Sequence, residues 1–172
     1  MSWLPCEKKQ MEIEEKVLDL SAQLGLYYPD NTLEEFVKRL DLEVYFTEFD
    51  KPYINGVIFF HESKEKKTKI FLNSKELHAR KSFSLAHKIG HLILHKNESP
   101  NYRIYTYEYK DNNDKETEAN FFAASLLIPK IRLEYLLWAD YSIEMLFKYF
   151  GVSKSIIENR LLWLRKKDKK IL

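Results

Sequence analysis

The chain has 172 residues and a formal net charge of +2, a size that suits one domain or one domain with a small appendage. The nearly balanced charge gives no general argument for nucleic-acid binding, and the single cysteine, Cys6, excludes a disulfide framework and a cysteine-based zinc finger. No apolar run has the length of a signal peptide or a membrane span, so we expect a cytoplasmic protein with no membrane partner.

The first third of the chain is predicted to be helical. Apolar residues recur at helical spacing from Met11 to Leu24, and Gly25 marks the end of this amphipathic helix. A second helix follows, for which either Asn31 or Thr32 suits the N-cap. Its apolar face consists of Leu33, Phe36, Val37 and Leu40.

The hydrophobic period then changes to that of strands. The runs "EVYFTEF", "NGVIFFHE" and "TKIFLNS" are short and rich in β-branched and aromatic residues, with turn-forming or charged segments between them. They predict a small three-stranded sheet, which we expect to be antiparallel.

Helical periodicity returns from Leu77 to about His95. The next segment, "KNESPNYRIYTYEYKDNND", is charged and contains proline, which predicts a loop rather than a core element. A strong helical pattern then covers "KETEANFFAASLLIP" and stops at Pro129, and from Ile131 onward we expect two or three helices that end in the basic run "RKKDKK". The apolar positions of these last helices are Trp138, Leu146, Phe147, Phe150, Ile156, Leu161 and Leu164.

Two histidines in "SFSLAHKIGHLILHK" have the spacing of metal ligands, H-x-x-x-H. His87 and His91 are four residues apart, so a helix places both on one face, within reach of one ion. A bare H-x-x-x-H is usually a packing pattern. The apolar neighbours here, however, indicate a buried helix in which two imidazoles need polar partners. Gly90 leaves room for a close approach beside the second histidine.

A catalytic zinc site needs a third protein ligand, for which the helix "KETEANFFAASLLIP" is the predicted source. Glu116 and Asn120 share one face, whereas Glu118 lies about 200° around the helix from Glu116. Either carboxylate is a candidate ligand, and both also suit a helical first turn as ordinary acidic residues. Asn120 is a candidate to hold a ring nitrogen of a ligating histidine, and we expect His95 to have a structural or similar supporting role.

The two motifs "KSFSLAHKIGHLILH" and "ETEANFFAASLLIP" together resemble those of the ImmA/IrrE family of metallopeptidases, and the resemblance extends from about Leu33 to Leu164. It implies an α+β fold with a zincin-like core in residues 1–130 and a C-terminal helical segment, residues 131–172, packed on that core. It also implies a zinc ion held by His87, His91 and Glu116, with Glu118 as the competing ligand or base.

Members of this family typically lie on phages or other mobile elements beside a helix-turn-helix repressor, which they cleave or otherwise disable. The resemblance therefore implies that the partner is a protein, with a transcriptional repressor as the expected one. Direct contact with nucleic acid is not expected.

Lys88 departs from the family pattern at the position of the general base. In H-E-x-x-H peptidases the glutamate accepts a proton from the attacking water and later delivers it to the leaving amine. A lysine with an ordinary pKa of about 10.4 is protonated and cannot accept that proton. We therefore expect a pseudo-peptidase. The alternatives are another carboxylate as base, such as Glu118 or Glu98, or an engineered or accidental change at Lys88. A further interpretation is a lysine that snorkels at the mouth of a cleft.

Two functions of other classes stay open. One is a non-catalytic interaction module that holds its partner in the former substrate cleft. The other is DNA binding through the last helices, where Gly151 suits the end of one helix and Ser153 the cap of the next, in the outline of a helix-turn-helix. The modest net charge favours a packed helical pair over DNA binding.

Overall fold

The structure is a computed structural model that describes residues 4–50, 54–60, 67–96, 103–107 and 114–167. Seven helices and four strands lie within these ranges. In chain order they are α1 (Glu7–Leu24), α2 (Leu33–Arg39), β1 (Glu43–Thr47), β2 (Ile54–Phe59), β3 (Lys69–Asn73), α3 (His78–His95), β4 (Arg103–Tyr107), α4 (Asp114–Leu127), α5 (Lys130–Trp138), α6 (Ile143–Phe150) and α7 (Lys154–Lys167).

Helix α1 ends and helix α2 begins at residues that the sequence predicts. Gly25 terminates α1 with a left-handed φ of 66°, a conformation that glycine adopts without steric cost. Thr32 is the N-cap of α2. Its hydroxyl accepts from the Glu35 N–H, and the Glu35 carboxylate accepts from the Thr32 N–H at 2.7 Å. Asn31, the alternative cap, instead accepts from the Tyr27 N–H at 3.0 Å.

The strands form one sheet in the order β1-β3-β2-β4. β2 is antiparallel to both β3 and β4, whereas β1 is parallel to β3. The expectation of an antiparallel sheet is therefore wrong for β1. β3 inserts between β1 and β2 and runs in the same direction as β1, so Tyr45 stacks on Phe71 of the neighbouring strand with ring centroids 5.1 Å apart.

The fourth strand corrects both the prediction of three strands and the prediction of a loop after α3. β4 lies inside the tyrosine-rich segment, and its sequence, "RIYTY", consists mainly of residues that favour strands. Charged residues flank this run on both sides and a proline precedes it, so the segment as a whole reads as a loop. Among the described strands β4 lies at the edge of the sheet, where it pairs with β2, and edge strands tolerate polar residues that a central strand would not.

The α+β class is confirmed, and α3 is its central helix. α3 lies against β2 and β3 on one side and packs along α4 on the other. Gly90 makes the second contact close. A Cβ at this position would lie 3.1 Å from Phe122 Cδ1 and 3.2 Å from the Ala119 carbonyl oxygen. The predicted close approach beside His91 is thus confirmed, and it brings the two helices that carry the candidate ligands together.

Three helices follow α4, and the core tryptophan among them is not the predicted one. Trp138 is 83% exposed. It lies about 200° around α5 from Leu136 and therefore points away from the buried side, which Leu133 and Leu136 form. Trp163 of α7 is 1% exposed and packs edge-on against Phe121 of α4. Other predicted apolar positions do lie in the core or against it, namely Leu146, Phe147, Phe150, Ile156, Leu161 and Leu164.

Arg160 joins α7 to the rest of the protein through buried polar contacts. Its Nη1 lies 2.5 Å from Glu14 Oε1 of α1, and its Nε donates to the Ile128 carbonyl oxygen at 3.2 Å. Ser125 of α4 donates to the same carboxylate. None of the helices within the described ranges combines the length and apolar character that crossing a membrane requires.

Candidate metal centre

Three ligand-type side chains meet between α3 and α4. His87 Nε2 lies 3.1 Å from Glu116 Oε2, and His91 Nε2 lies 3.1 Å from Glu116 Oε1. The two imidazole nitrogens are 2.9 Å apart. Both histidines are buried, and the Glu116 side chain is 16% exposed. Among the residues that the structure describes, this is the group of histidine and carboxylate side chains close enough to hold a metal ion.

The arrangement fits a zinc ion in spacing and in chemistry. Ligands in a tetrahedral zinc site lie about 2.0–2.1 Å from the metal and therefore about 3.3 Å from one another. Here the two Nε2 atoms are 2.9 Å apart, and each lies 3.1 Å from a different oxygen of Glu116. Two imidazoles and one carboxylate are also a donor set of catalytic zinc sites.

The protonation states of the three side chains are those that metal binding requires. Burial lowers the pKa of His91 to about 3, although the hydrogen bond that the Glu116 carboxylate accepts from this histidine opposes the shift. Burial lowers the pKa of His87 as well. Burial acts to raise the pKa of Glu116, but hydrogen bonds with the two histidines outweigh it and keep that pKa below the usual range. Near pH 7 the site therefore holds neutral imidazoles and an ionised carboxylate.

The remaining polar residues of the two helices surround this group. Asn120 Oδ1 lies 2.9 Å from His87 Nδ1. His95 Nδ1 lies 3.2 Å from His91 Nδ1, and His95 Nε2 lies 3.1 Å from Glu118 Oε2. Of the two carboxylates left open by the sequence, Glu116 is the one beside both candidate ligands, whereas Glu118 contacts His95.

Lys88 is fully buried, which excludes a side chain that snorkels at the mouth of a cleft. Its Cε lies 3.5 Å from where a Cβ on Gly56 would stand, so the side chain extends from α3 toward β2. Burial lowers the pKa of Lys88 to about 7, while the charge of Glu116 raises it. In turn, the lysine charge lowers the pKa of His87 and His91, so Lys88 acts electrostatically on the candidate metal site.

Gly56 is a residue of the site region that sequence reasoning missed. A Cβ there would lie 2.7 Å from the Phe71 carbonyl oxygen, so β2 has no room for a side chain at the point that Lys88 approaches. The only signal was a glycine inside a strand pattern, "NGVIFF". Of the other residues considered, His78 is exposed at the start of α3, while Glu98 and His61 lie outside the described ranges.

Comparison with known protein families decides the relationship. The family model of the IrrE N-terminal-like domain, Peptidase_M78, matches residues 37–162. The chain belongs to this family. The match confirms the resemblance to ImmA/IrrE proteins, and M78 peptidases are typically zinc-dependent.

Other comparisons add the fold but no activity for this IrrE-like chain. No curated protein sequence matches it. It is similar to the solved structure of a Mycobacterium tuberculosis transcriptional regulator, with a TM-score of 0.58 and 15% sequence identity. The alignment covers 91% of this chain and 47% of the regulator, so the chain spans about half the length of that protein. At this identity the similarity shows a shared fold alone.

Proposed function

We propose that this IrrE-like protein is a zinc-binding, metallopeptidase-type regulator in the cytoplasm. Its partner is a protein, a helix-turn-helix transcriptional repressor of a phage or mobile element, and Lys88 impairs its hydrolytic activity. One observation carries the proposal: a buried group of His87, His91 and Glu116 whose neighbour at the general-base position is a fully buried lysine.

The metal part of the proposal rests on geometry and protonation. His87 and His91 point their Nε2 atoms at Glu116, and all three groups have the charge state of metal ligands near pH 7. A zinc ion held there would polarise a peptide carbonyl and lower the pKa of a water molecule. The protein itself supplies the orientation of the ligands and the exclusion of bulk water from the buried histidines.

The expected loss of hydrolysis rests on the charge that Lys88 would carry after it accepted a proton from water. A glutamate that accepts a proton becomes neutral, whereas Lys88 would become a cation beside zinc, with the repulsion that two like charges experience at low dielectric. The terminal carbon of Lys88 also lies close to Gly56 of β2. We therefore propose partner binding without efficient cleavage.

Metal content tests the first part of the proposal. The purified protein is expected to retain close to one zinc ion per chain after dialysis, and His91→Ala is expected to lose it. His78→Ala is the matched control, because His78 is an exposed histidine of the same helix. A folded wild-type protein that holds no stoichiometric metal at neutral pH would overturn the metal site.

Incubation with a repressor encoded by a neighbouring gene tests the second part. The wild type is expected to bind this repressor and leave it intact, whereas Lys88→Glu cleaves it in the presence of zinc. Lys88→Gln is the control, because it removes the positive charge without supplying a base. Cleavage by the wild type would contradict the loss of hydrolysis, and binding that persists without metal would favour a non-catalytic interaction module.

A further inference from the structure

We propose that β1 is a dimerisation edge, where two copies of the chain pair antiparallel around a two-fold axis at Tyr45. The pairing joins two four-stranded sheets into one continuous sheet. It goes beyond the proposed function and does not depend on the candidate metal centre. Strand β3 separates β1 from β2, the strand that Lys88 approaches, so the metal centre is not part of this edge.

The backbone of β1 has hydrogen-bonding groups on the side that faces away from β3. In a parallel ladder, alternate residues direct both of their backbone groups to the neighbouring strand. The Glu43 N–H donates to the Thr68 carbonyl oxygen at 3.1 Å, and the register with β3 is unbroken to Thr47. Residues with odd numbers therefore face β3, and the N–H and C=O groups of Val44 and Phe46 face outward.

Among the described strands, none pairs with this outward side of β1. Within the described ranges no hydrogen bond reaches the backbone of Val44 or Phe46. The Phe46 side chain is 60% exposed, although Lys81 Nζ lies 5.8 Å from its ring centroid. Proteins usually protect a free edge with lysine, proline or a bulge, and β1 has none of these. Its one charged residue, Glu43, forms an ion pair with Lys69 of the adjacent strand, so the edge is open to a further strand.

The same strand of a second copy satisfies all of the outward groups in one register. Tyr45 is the midpoint of β1, so an antiparallel pair centred there places Val44 of each copy opposite Phe46 of the other. Both are hydrogen-bonded pairs, in which the two residues exchange N–H and C=O bonds. A register centred on Val44 would need the Leu42 N–H, which already donates to the Val37 carbonyl oxygen at 3.0 Å.

The side chains match in this register as well. Val44 and Phe46 pair in β3 with residues that are fully buried, so both lie on the inner face of the sheet and meet as apolar neighbours across the axis. On the other face, Tyr45 stands beside Tyr45 of the second copy, and Glu43 stands opposite Thr47, whose hydroxyl can donate to the carboxylate. No like charges face each other along β1.

This self-complementarity favours a second copy over a foreign strand as the occupant of the edge. Two-fold contacts, in which the same surface of each copy meets its own equivalent, are the commonest kind in soluble oligomers. A strand of five residues supports an interface near the lower limit for specific complexes, about 1,200 Å² in total. We therefore expect a dimer that dissociates on dilution.

Sedimentation velocity across a concentration series, with a chelator present, tests the dimer. The wild type is expected to shift from the mass of one chain, 20.7 kDa, to twice that mass as its concentration rises. Phe46→Lys removes an apolar ring on both sides of the axis, so the dissociation constant is expected to rise about 100-fold or more. Trp138→Lys is the matched control, because it removes an exposed aromatic residue of α5 and should leave the dimer unchanged.

Proline substitution separates the two sides of the strand. Phe46→Pro deletes an outward N–H and is expected to give a folded monomer, because an edge strand tolerates proline where its N–H faces solvent. Tyr45→Pro deletes an N–H directed at β3 and is expected to lower the thermal stability of the monomer itself. Thermal unfolding followed by circular dichroism compares the two variants with the wild type.

Disulfide trapping tests the register. In a Cys6→Ser background, Tyr45→Cys places two thiols at the axis in a non-hydrogen-bonded pair, with Cα atoms about 4.5 Å apart and within the range of a disulfide. Oxidation is expected to link most chains into covalent dimers. Glu43→Cys is the control, because its two thiols lie about 13 Å apart along the paired strands, beyond the reach of a disulfide.

Three results would overturn the proposal. A wild type that stays monomeric throughout the concentration series excludes the pairing of two copies and leaves the edge to a foreign strand. A dimer that persists in Phe46→Lys but is lost in Trp138→Lys moves the interface to α5. Cross-linking through position 43 and not through position 45 contradicts the register. If the Phe46 variants fail to fold, the Tyr45→Cys cross-link still decides, and none of these results depends on zinc binding.

Discussion

Lys88 is the residue on which burial and charge conflict most directly. An ammonium group loses its hydration when it is buried, which disfavours the charged form. Burial therefore lowers the pKa of Lys88 to about 7 in the folded protein. The carboxylate of Glu116 offsets only part of this shift. The unfolded chain hydrates the same lysine fully, so the pKa of Lys88 differs between the folded and unfolded states. This difference makes the free energy of unfolding depend on pH.

We expect the wild type to gain stability relative to Lys88→Met as the pH rises from about 7 to about 10. Below pH 7 both the folded and unfolded states are protonated, so the full cost of the buried charge is present. Between the folded-state pKa of about 7 and the ordinary lysine pKa of 10.5, the unfolded state binds more protons, so stability rises with pH. The slope for one proton is at most about 1.4 kcal/mol per pH unit.

Urea unfolding of both proteins across this range, with a chelator present, measures the effect. Lys16→Met, at an exposed position of α1, is the control and should differ from the wild type by the same amount at each pH. A constant difference between wild type and Lys88→Met would show that the amine is hydrated in the folded state.

Residue spacing predicted that His87 and His91 lie side by side, but it did not predict that Lys88 is fully buried. The histidines share one helix, so their relation depends on local geometry alone. The depth of Lys88 depends on how α3 packs on the sheet and on a glycine in β2, which is distant in sequence. The contact of Glu118 with His95 likewise depends on the packing of two helices.

At the scale of elements, the pairing of α3 with α4 sets the distance between the histidines and Glu116. Gly90 is a point of close contact, where an added Cβ would meet Phe122 and the backbone of Ala119. A flexible side chain can move aside, but the Ala119 carbonyl belongs to helix α4 itself. Any relief therefore moves one helix relative to the other, and Glu116 moves with α4.

Gly90→Ala is expected to destabilise the protein and to weaken zinc binding together. Overpacking of this kind costs about 1–3 kcal/mol, and the better helix propensity of alanine offsets about 1 kcal/mol of it. Gly25→Ala is the matched control. It has open space for the Cβ but a φ of 66°, so it is expected to lower stability without changing zinc affinity. Unfolding and dye competition measure both quantities, and unchanged zinc affinity in Gly90→Ala would contradict the coupling.

Helices were easier to predict than strands in this chain, for a physical reason. The apolar stripes of α1, α2 and α3 repeat within each helix, so the sequence alone shows them. The pairing of β1 with β3 depends on which strand inserts between which, and β4 is a short edge strand between charged residues. Neither fact leaves a local pattern, which is why the strand order was not predicted and the expected antiparallel direction was wrong for β1.

At the scale of the whole molecule, a buried ion pair helps to attach α7 to the rest of the protein. Arg160 is fully buried, and its guanidinium group lies 4.3 Å from the Trp163 ring centroid as well as beside Glu14. Glu14 and Ile128 belong to segments that pack beside α4, the helix of the candidate ligand. We therefore expect loss of this pair to affect the region of the candidate metal site.

We expect Arg160→Met to lower the free energy of unfolding by about 3 kcal/mol or more, because removing one member of a buried pair leaves the other charge uncompensated. The double variant Arg160→Met/Glu14→Leu is expected to recover part of this loss, since it also removes the stranded carboxylate. Lys148→Met, which breaks an exposed pair with Glu144 on α6, should have little effect. Urea unfolding followed by tryptophan fluorescence measures all three. A double variant no more stable than Arg160→Met would show that packing of the arginine, and not its charge, holds α7 in place.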